Sequence, residues 1–336
     1  MVKVIAEISG NHLGSFENAR KLIIAAKNSG ADFVKLQTYR ADTITLNIDK
    51  NDFRVAKDHP LWAGRLLYSL YEEAHTPWEW HKDLFSLARS LNIGIFSSPF
   101  DFTAVDLLES LNTPMYKIAS LETGDIPLIK YIAQTNKPII ASTGASNLDD
   151  LDLMVETIRT YNQCELTLLL CTSNYPSEIK DAHLRRLKLL RKRYDLNVGL
   201  SDHTLGNTTS IAAVALGAKV IEKHLCLKRN LGGPDAGFST EPEEFLELVK
   251  DVRNAELALG EESWLELPSE SESRRMRRSL YIFCNVKKGE YISPSNVKSI
   301  RPSKGLPPKF WDQVVGKKFN KDYEAGTPLS LTQIEN

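Results

Sequence analysis

The sequence lacks long apolar stretches, a charge excess of either sign and closely spaced cysteines. Its 42 Lys and Arg residues nearly balance 43 Asp and Glu residues, so the formal net charge is −1. A chain without a basic excess is not expected to bind nucleic acid or an anionic membrane surface. No segment approaches the roughly 20 consecutive apolar residues that a membrane-spanning helix needs. The sequence therefore predicts no nucleic-acid partner and no membrane partner.

The cysteines are few and scattered. Cys164, Cys171, Cys226 and Cys284 form neither a CxxC pair nor a zinc-finger spacing, which predicts free thiols in a reducing compartment. The opening run MVKVIAEISGNHLG is interrupted by Glu7 and has no small-residue cleavage site, so we expect no secretory signal. These features together predict a cytoplasmic protein. Phosphate-binding loops of the GxxxxGK[ST] or GxGxxG type are also missing, which argues against a nucleotide site.

Short apolar runs alternate with helical patterns over residues 1–259. This alternation predicts repeated βαβ units and a parallel sheet. Eight strand–helix pairs can be counted, and eight pairs close a (β/α)8 TIM barrel. The predicted strands are 4–8, 33–36, 93–96, 115–118, 138–141, 166–171, 198–200 and 220–222, and the predicted helices are 16–28, 78–91, 104–111, 127–135, 148–161, 182–193, 208–216 and 242–259.

Three segments depart from this repeat. Residues 38–75 form a connection far longer than usual, which predicts a lid or a substrate-binding segment. Residues 260–278 are polar and rich in charge, which is typical of a linker. Residues 279–336 contain short strand-like pieces separated by glycines, with helical turns near 293–296 and 308–315. They predict a small α+β domain that is too small to be stable alone and therefore docks on another surface.

Polar side chains stand at or just after the end of nearly every predicted strand. A barrel brings these ends to one rim, where the active sites of this fold lie. Burying so many polar groups without a ligand would be costly, so the ring predicts an active site. Its members are Glu7, Lys35, Gln37, Ser97, Ser98, Lys117, Ser120, Ser142, Thr143, Thr172, Ser173, Ser201, Asp202, His203, Glu222 and His224.

The ring divides by chemistry. Lys35 and Lys117, with nearby serine hydroxyls, are suited to bind the phosphate and carboxylate of a small phosphorylated metabolite. His203 and His224 end neighbouring strands and can hold a divalent metal, although one of them could instead be only a hydrogen-bond donor. Asp202 and Glu222 are candidates to orient these imidazoles or to act as bases.

Other candidates keep two interpretations. Asp235, in the loop LGGPDAGFS, either faces the site or is an ordinary acidic loop residue, and His12 has the same ambiguity. The aromatic residues of the long connection and the helix after it are interpreted first as packing residues and second as sugar-stacking residues. They are Trp62, Tyr68, Tyr71, Trp78 and Trp80.

Ten segments together carry a family resemblance. They are AEISGNHLGS, FVKLQTY, FSSPFD, YKIASLE, IASTGA, CTSNYP, GLSDHTLG, AVALGAKVIEKHL, GGPDAGFS and IRPSKGL. In this order, and over nearly the whole chain, the sequence resembles the sialic acid synthase family, whose members condense phosphoenolpyruvate with an amino sugar. The segment after residue 279 resembles the antifreeze-like (SAF) domain of that family.

The finer resemblance is to the branch that makes pseudaminic acid. It rests on TPWEWH, LYSLYEEA, CTSNYP and SIRPSKGLPPKF. It implies condensation of phosphoenolpyruvate with a 2,4-diacetamido-2,4,6-trideoxy hexose and water. Ala236 stands where neuraminate enzymes commonly carry His, yet the text DAGFS also differs from the DSxFS that is common in the pseudaminic branch. The alternatives are a neuraminate or legionaminate synthase, another metal-dependent barrel enzyme, and a sugar-binding module without catalysis.

The resemblance also implies roles and partners. A divalent cation, with Mn²⁺ favoured over Mg²⁺ or Co²⁺, would be held by His203 and His224. Glu7 or Glu222 would assist the attacking water. A domain-swapped homodimer is implied, in which Arg301 of the partner subunit reaches the barrel. Phosphoenolpyruvate would bind Lys35, Ser98, Lys117, Ser120, Ser142, Ser173 and Ser201, and the sugar would bind Glu7, Gln37, Tyr175, Asp235 and Arg301.

Overall fold

The chain folds into two compact units, Met1–Gly260 and Glu261–Asn336. The structure is a computed structural model that describes residues 1–58 and 61–335. In the first unit, eight parallel strands pair in chain order, and the last pairs with the first to close a barrel, as the sequence predicts. They are β1 (Lys3–Glu7), β2 (Phe33–Thr38), β3 (Gly94–Pro99), β4 (Tyr116–Ile118), β5 (Ile139–Ser142), β6 (Leu166–Cys171), β7 (Asn197–Asp202) and β8 (Val220–His224).

Helices follow the strands on the outside of the barrel. They are α1 (Phe16–Asn28), α2 (Ala41–Ile44), α3 (Leu67–Ala74), α4 (Trp78–Ser90), α5 (Phe102–Ser110), α6 (Ile126–Gln134), α7 (Leu148–Tyr161), α8 (Arg186–Tyr194), α9 (Thr208–Ala215) and α10 (Pro242–Leu259). The predicted bounds of α1, α7 and α10 are confirmed. The helix predicted from residue 182 begins later, at Arg186, because His183 has a left-handed φ of 42° that no α-helix accommodates.

Side-chain caps fix several of these helix starts. The Ser15 hydroxyl accepts a hydrogen bond from the Asn18 N–H at 3.3 Å. Asn147 Oδ1 accepts from the Asp149 and Asp150 N–H groups at 2.8 and 3.0 Å, and Asp150 accepts in return from the Asn147 N–H. Such caps satisfy donors that a helix leaves unpaired at its first turn. They place α1 and α7 directly after the loops that leave β1 and β5.

The long connection after β2 is more ordered than a loop. It contains α2, α3 and an isolated bridge between Arg54 and Leu66. Trp62 Nε1 donates to the Pro234 carbonyl at 2.9 Å, and the Trp62 ring lies 6.1 Å from the ring of Tyr175. The connection therefore reaches the loops that follow β6 and β8, at the rim where the sequence places the site. Its role as a lid stays a prediction.

The inside of the barrel is layered. A closed apolar cluster contains Ile5, Phe96, Ile140, Leu169 and Val220, with Phe33 and Met115 packed against it. Side chains in a strand point to alternate faces, so the residue two positions further on points into the barrel again. Those residues form the next layer, towards the C-terminal rim. They are Glu7, Lys35, Ser98, Lys117, Ser142, Cys171 and Glu222.

The second unit has its own small core. Its strands β9 (Ser279–Ile282) and β10 (Val297–Ile300) are antiparallel, and its short helices are α11 (Ser271–Arg275) and α12 (Trp311–Val314). The buried side chains include Leu280, Ile282, Val286, Phe319 and Leu329. Residues 308–315 contain the predicted helical turns, whereas residues 293–296 form a hydrogen-bonded turn that does not become a helix.

Two further observations concern the whole chain. The four cysteines are free thiols. In the described part of the chain, no helix is both long enough and apolar enough to cross a bilayer.

Candidate active site

Lys35 lies at the centre of a buried cluster of charges. Its Nζ is 2.6 Å from Glu7 Oε2 and 3.1 Å from Glu222 Oε1. The three side chains come from β2, β1 and β8, which are neighbours in the barrel, and each is at most 5% exposed. Glu7 Oε1 also accepts from the Ser9 N–H at 2.8 Å, and Glu222 Oε1 accepts from the Ser201 hydroxyl at 3.1 Å. Three predicted site residues thus meet inside the barrel.

The two carboxyl groups titrate in opposite directions. Burial raises the pKa of Glu7, and the neighbouring charge of Glu222 raises it further. Burial also acts on Glu222, but Lys35 and Lys117 outweigh it and lower its pKa to about 2. Although burial alone would lower the pKa of Lys35, Glu222 and Glu7 raise it above its ordinary value. The cluster therefore holds a cationic Lys35 and an ionised Glu222, with Glu7 as the more readily protonated group.

Lys117 is buried without a carboxylate partner. Its Nζ donates to Ser142 Oγ at 2.7 Å and to the Ile118 carbonyl at 3.0 Å. No carboxylate of the described residues lies within ion-pair distance of this amine. Burial lowers the pKa of Lys117 to about 8. A buried ammonium that has only neutral partners favours the binding of an anion.

A glycine creates space beside the serine hydroxyls. A Cβ atom at Gly144 would lie 2.2 Å from Ser173 Oγ and 2.8 Å from Ser120 Oγ, so only glycine allows this approach. The Gly144 N–H donates to Ser120 Oγ at 3.2 Å. Ser98 Oγ is buried and has no hydrogen-bond partner among the described residues. These hydroxyls line the same rim as Lys117 and can donate to phosphate or carboxylate oxygens.

Two residues of this rim were missed by the sequence reasoning. Gly144 lies in the predicted segment IASTGA, but a missing side chain gives no chemical signal. Glu122 follows β4 in a 3₁₀ turn, and its Oε2 has no hydrogen-bond partner among the described residues. Burial raises the pKa of Glu122 to about 7, against the opposing effect of Lys117. Its position just after a barrel strand was the available signal.

His203 and His224 meet at the ends of β7 and β8, with ring centroids 5.3 Å apart. His203 Nδ1 is 3.0 Å from the Thr172 carbonyl, which can only accept, so this nitrogen carries the proton. His224 Nδ1 is 3.1 Å from the Ser9 hydroxyl. No hydrogen bond joins either Nε2 atom to a described residue, so both stay available as ligands. Burial holds the pKa of His224 well below its usual value, which keeps that ring in the neutral form that metals require.

The histidine pair fits a divalent metal as a partial site. Hydrogen bonds from Nδ1 to a carbonyl or hydroxyl are the usual support of a metal-ligating imidazole. Within residues 1–58 and 61–335, however, no group of three His, Cys, Asp or Glu side chains is placed to hold an ion. Two imidazoles would therefore need oxygen ligands from substrate or water to complete a coordination sphere.

Aromatic and polar side chains surround the pair. The ring of Tyr175 lies 4.5 Å from that of His203, and the ring of Phe238 lies 4.8 Å from that of His224. Asp235 is half-buried, and its Oδ2 is 3.4 Å from the Gly10 N–H. Gln37 is half-buried at the end of β2, opposite Ser98 in the strand register. The structure thus places Gln37, Tyr175 and Asp235 at the barrel rim.

Two barrel residues that the sequence offered as candidates make other contacts, and one candidate belongs to the second unit. Asp202, a candidate to orient the imidazoles, has no direct contact with them: its side chain bonds Thr204, Ser210 and Lys223, because alternation along β7 points it away from Ser201. His12 is buried against Trp80 and bonds Thr76, which supports its structural interpretation. Arg301 belongs to the second unit and is exposed there.

Comparison with known proteins identifies the family. Residues 22–263 match the NeuB family, and residues 277–335 match the SAF domain. The chain belongs to the NeuB family. Among NeuB-family relatives, it is 45% identical over 334 residues to pseudaminic acid synthase of Helicobacter pylori, which covers 99% of this chain and 98% of that protein.

Two other NeuB-family comparisons place this chain more broadly. It is 36% identical to N,N'-diacetyllegionaminic acid synthase of Legionella pneumophila, over 99% of this chain and 94% of that protein. The crystal structure of N-acetylneuraminic acid synthetase from Leptospira borgpetersenii has a TM-score of 0.72 and 28% identity, covering 81% of this chain and 90% of that one. The family resemblance seen in the sequence is confirmed.

The space at Gly144 generates a first prediction. Gly144→Ala places a methyl group on the hydroxyls of Ser173 and Ser120, and we expect it to raise the KM of the anionic substrate by roughly tenfold, equivalent to about 1.4 kcal/mol. Steady-state kinetics measures the change. Gly124→Ala is the matched control, because a Cβ there meets nothing within 4 Å. Equal KM values for the two variants would contradict the role of the space at Gly144 in binding the anionic substrate.

Lys117 generates a second prediction, on pH dependence. The amine binds an anion only while it is protonated, and its pKa is about 8. We expect kcat/KM for the anionic substrate to fall by about tenfold per pH unit above this value, because that ratio reports the free enzyme. Lys117→Met should lose this alkaline decline together with most of the affinity. A wild-type profile that stays flat well above pH 8 would disprove the assignment.

Proposed function

We propose that this NeuB-family chain condenses phosphoenolpyruvate with a 2,4-diacetamido-2,4,6-trideoxy hexose and water, giving pseudaminic acid and inorganic phosphate. One observation supports the chemistry most strongly: Lys35 and Lys117 are buried within one barrel, beside open hydroxyls and a histidine pair. The identity of 45% to a pseudaminic acid synthase, against 36% to a legionaminic acid synthase, favours this sugar over its alternative.

The substrate anion is assigned to the lysine side of the rim. Lys117 has no carboxylate partner in residues 1–58 and 61–335, and it offers a full charge to the phosphate or carboxylate of phosphoenolpyruvate. Lys35 adds a second cation, held in place by Glu7 and Glu222. Fixed cations in a water-poor site stabilise the charge that moves during reaction more than the same cations would in water. The proposed binding residues are Lys35, Ser98, Lys117, Ser120, Ser142, Ser173 and Ser201.

The reaction forms a carbon–carbon bond and a carbon–oxygen bond and breaks one carbon–oxygen bond. C3 of phosphoenolpyruvate attacks the aldehyde carbon of the open-chain sugar, and water adds to C2. The bond between C2 and the phosphate oxygen breaks, and inorganic phosphate leaves with that oxygen. One proton of the water goes to the former aldehyde oxygen and the other to the leaving phosphate. Glu7 is the favoured acid–base group for the water, since its raised pKa allows it to accept a proton, whereas Glu222 stays ionised against Lys35.

The remaining rim residues are assigned to the cation and the sugar. His203 and His224 would hold a divalent cation, for which Mn²⁺ is favoured over Mg²⁺ and Co²⁺. When bound, this cation would polarise the sugar aldehyde as a Lewis acid. The proposed sugar contacts are Glu7, Gln37, Tyr175 and Asp235, with Arg301 supplied by the partner subunit of a domain-swapped homodimer.

The substrate proposal is tested by phosphate release from separate hexoses. We expect turnover with the 2,4-diacetamido-2,4,6-trideoxy sugar, with kcat/KM for N-acetylmannosamine lower by about 100-fold. A parallel reaction without phosphoenolpyruvate controls for aldolase or hydrolase activity. Turnover of N-acetylmannosamine alone, or of any sugar without phosphoenolpyruvate, would rule the proposal out.

The shared site is tested by mixing two impaired variants at a sugar concentration well below the KM of the Arg301 variant. Arg301→Ala should raise the KM of the sugar more than that of phosphoenolpyruvate, because Arg301 is proposed as a sugar contact and its guanidinium is exposed. Lys117→Ala should be nearly inactive. If Arg301 acts in the partner subunit, randomly mixed dimers of the two variants should recover roughly a quarter of wild-type activity.

Recovery arises because one site of each mixed dimer combines an intact barrel with an intact arginine. If Arg301 acts within its own chain, neither site is intact and mixing restores nothing. The control is each variant mixed with itself through the same unfolding and reassembly. A fully active monomer would also refute the shared site.

A further inference from the structure

A second buried ion pair lies behind the two histidines. Lys223 Nζ is 3.0 Å from Asp202 Oδ2, and the two side chains are 0% and 1% exposed. The residues sit opposite each other in the register of β7 and β8. Each one immediately neighbours a histidine in the chain: Asp202 precedes His203, and Lys223 precedes His224. The pair thus joins the two strands at the point where the histidines begin.

The pair faces away from the barrel interior. Ser201 and Glu222 point inward, since they bond each other beside Lys35. Alternation along the strands therefore directs Asp202 and Lys223 outward. The Ser210 hydroxyl, on α9, donates to Asp202 Oδ2 at 2.7 Å, which places the pair between the barrel wall and this helix. It is separate from the substrate-binding rim.

Every polar atom of the pair has a partner. Asp202 Oδ1 accepts from the N–H and the hydroxyl of Thr204 at 2.9 and 2.7 Å. Lys223 Nζ donates to the Thr204 carbonyl at 2.6 Å in addition to its bond to Asp202. Both members of the pair therefore form hydrogen bonds with Thr204, the residue directly after His203. The backbone on either side of His203 is tied to β8 through Lys223.

Stability alone is a poor reason for this arrangement. A buried ion pair can often be replaced by apolar side chains of similar volume without loss of stability, because desolvation offsets the attraction between the charges. The apolar core between the strands and the outer helices includes Ala213, Val214 and Ile221, on the two elements that flank the pair. Directional bonds can fix a backbone position that apolar packing would leave adjustable, and the position fixed here is that of His203 relative to His224.

We propose that Asp202 and Lys223 are positioning residues that hold the imidazoles of His203 and His224 at the separation needed to share a divalent cation. This inference rests on the proposed metal role of the histidine pair and extends it to residues that cannot touch the ion. Lys223 clamps the turn after His203 to the strand that carries His224, and Ser210 braces Asp202 from α9.

The test is Mn²⁺ binding to the metal-free full-length protein, measured by calorimetry. Lys223→Met keeps most of the length of the side chain but removes its bonds to Asp202 and to the Thr204 carbonyl. We expect it to weaken Mn²⁺ binding by about tenfold or more, the usual effect of losing an outer support of a metal ligand. The affinity for phosphoenolpyruvate without metal, followed by tryptophan fluorescence, should stay within about twofold, because Lys35 and Lys117 lie outside the clamp. Lys223→Met with wild-type Mn²⁺ affinity, or with equal losses for both ligands, would overturn the proposal.

Two further variants keep the result interpretable. The double variant Asp202→Asn, Lys223→Met should bind Mn²⁺ no more weakly than Lys223→Met, since residues acting as one unit are not additive. Ser210→Ala removes only the brace from α9 and should weaken Mn²⁺ binding by about threefold. If Lys223→Met does not fold, Ser210→Ala decides, and unchanged Mn²⁺ affinity in it overturns the proposal.

The matched control breaks an ion pair elsewhere. Arg253 Nη2 is 2.7 Å from Asp32 Oδ2, at the start of β2 and thus at the opposite end of the barrel. Asp32→Asn should lower thermal stability and leave Mn²⁺ affinity unchanged.

His203→Ala separates the proposed metal site from the proposed positioning role. If it retains Mn²⁺ binding, the proposed metal site fails, whereas its loss of binding beside an unaffected Lys223→Met refutes only the positioning role.

Discussion

A closed barrel of eight parallel strands leaves no freedom in which way each strand residue points. Every second side chain faces the interior, and the interior is too narrow for a side chain to turn away. Apolar residues such as Phe96 and Leu169 fill one layer. The next layer towards the rim consists of ionisable and hydroxyl side chains, which have no bulk water to hydrate them. The chemistry of the site follows from this change in side-chain type between two adjacent layers.

The positive charges of that polar layer are not all paired with carboxylates. Lys35 is shared by Glu7 and Glu222, while Lys117 bonds only a hydroxyl and a carbonyl among the residues that the structure describes. Lys117 thus adds a positive charge that no described carboxylate pairs with, and the raised pKa of Glu7 acts in the same direction. A small anion with two or three negative charges would offset this unpaired positive charge, whereas a neutral sugar would not. The electrostatics thus suit an anion in this interior layer.

Much of this could be predicted from the sequence because strand and helix patterns differ in period. The eight strands and the site residues at their ends follow from the positions of apolar runs. Three things did not follow. Gly144 acts by lacking a side chain, His183 interrupts a helical pattern through its backbone, and the long connection acquires helices from tertiary contacts. Asp202 was grouped with the other strand-end residues, although alternation from Ser201 already places its side chain on the outer side of the barrel wall.

Two adjacent buried residues of β8 differ in whether their hydrogen bonds are all satisfied by the protein. Glu222 and Lys223 are both buried and both form ion pairs, one on each side of the barrel wall. Inside, Glu222 Oε2 has no hydrogen-bond partner among the described residues, so that side keeps an unsatisfied acceptor for a ligand. Outside, both oxygens of Asp202 and the amine of Lys223 have hydrogen-bond partners from the protein itself. An incomplete network is suited to chemistry and a complete one to holding shape, and a single strand supplies both because its side chains alternate.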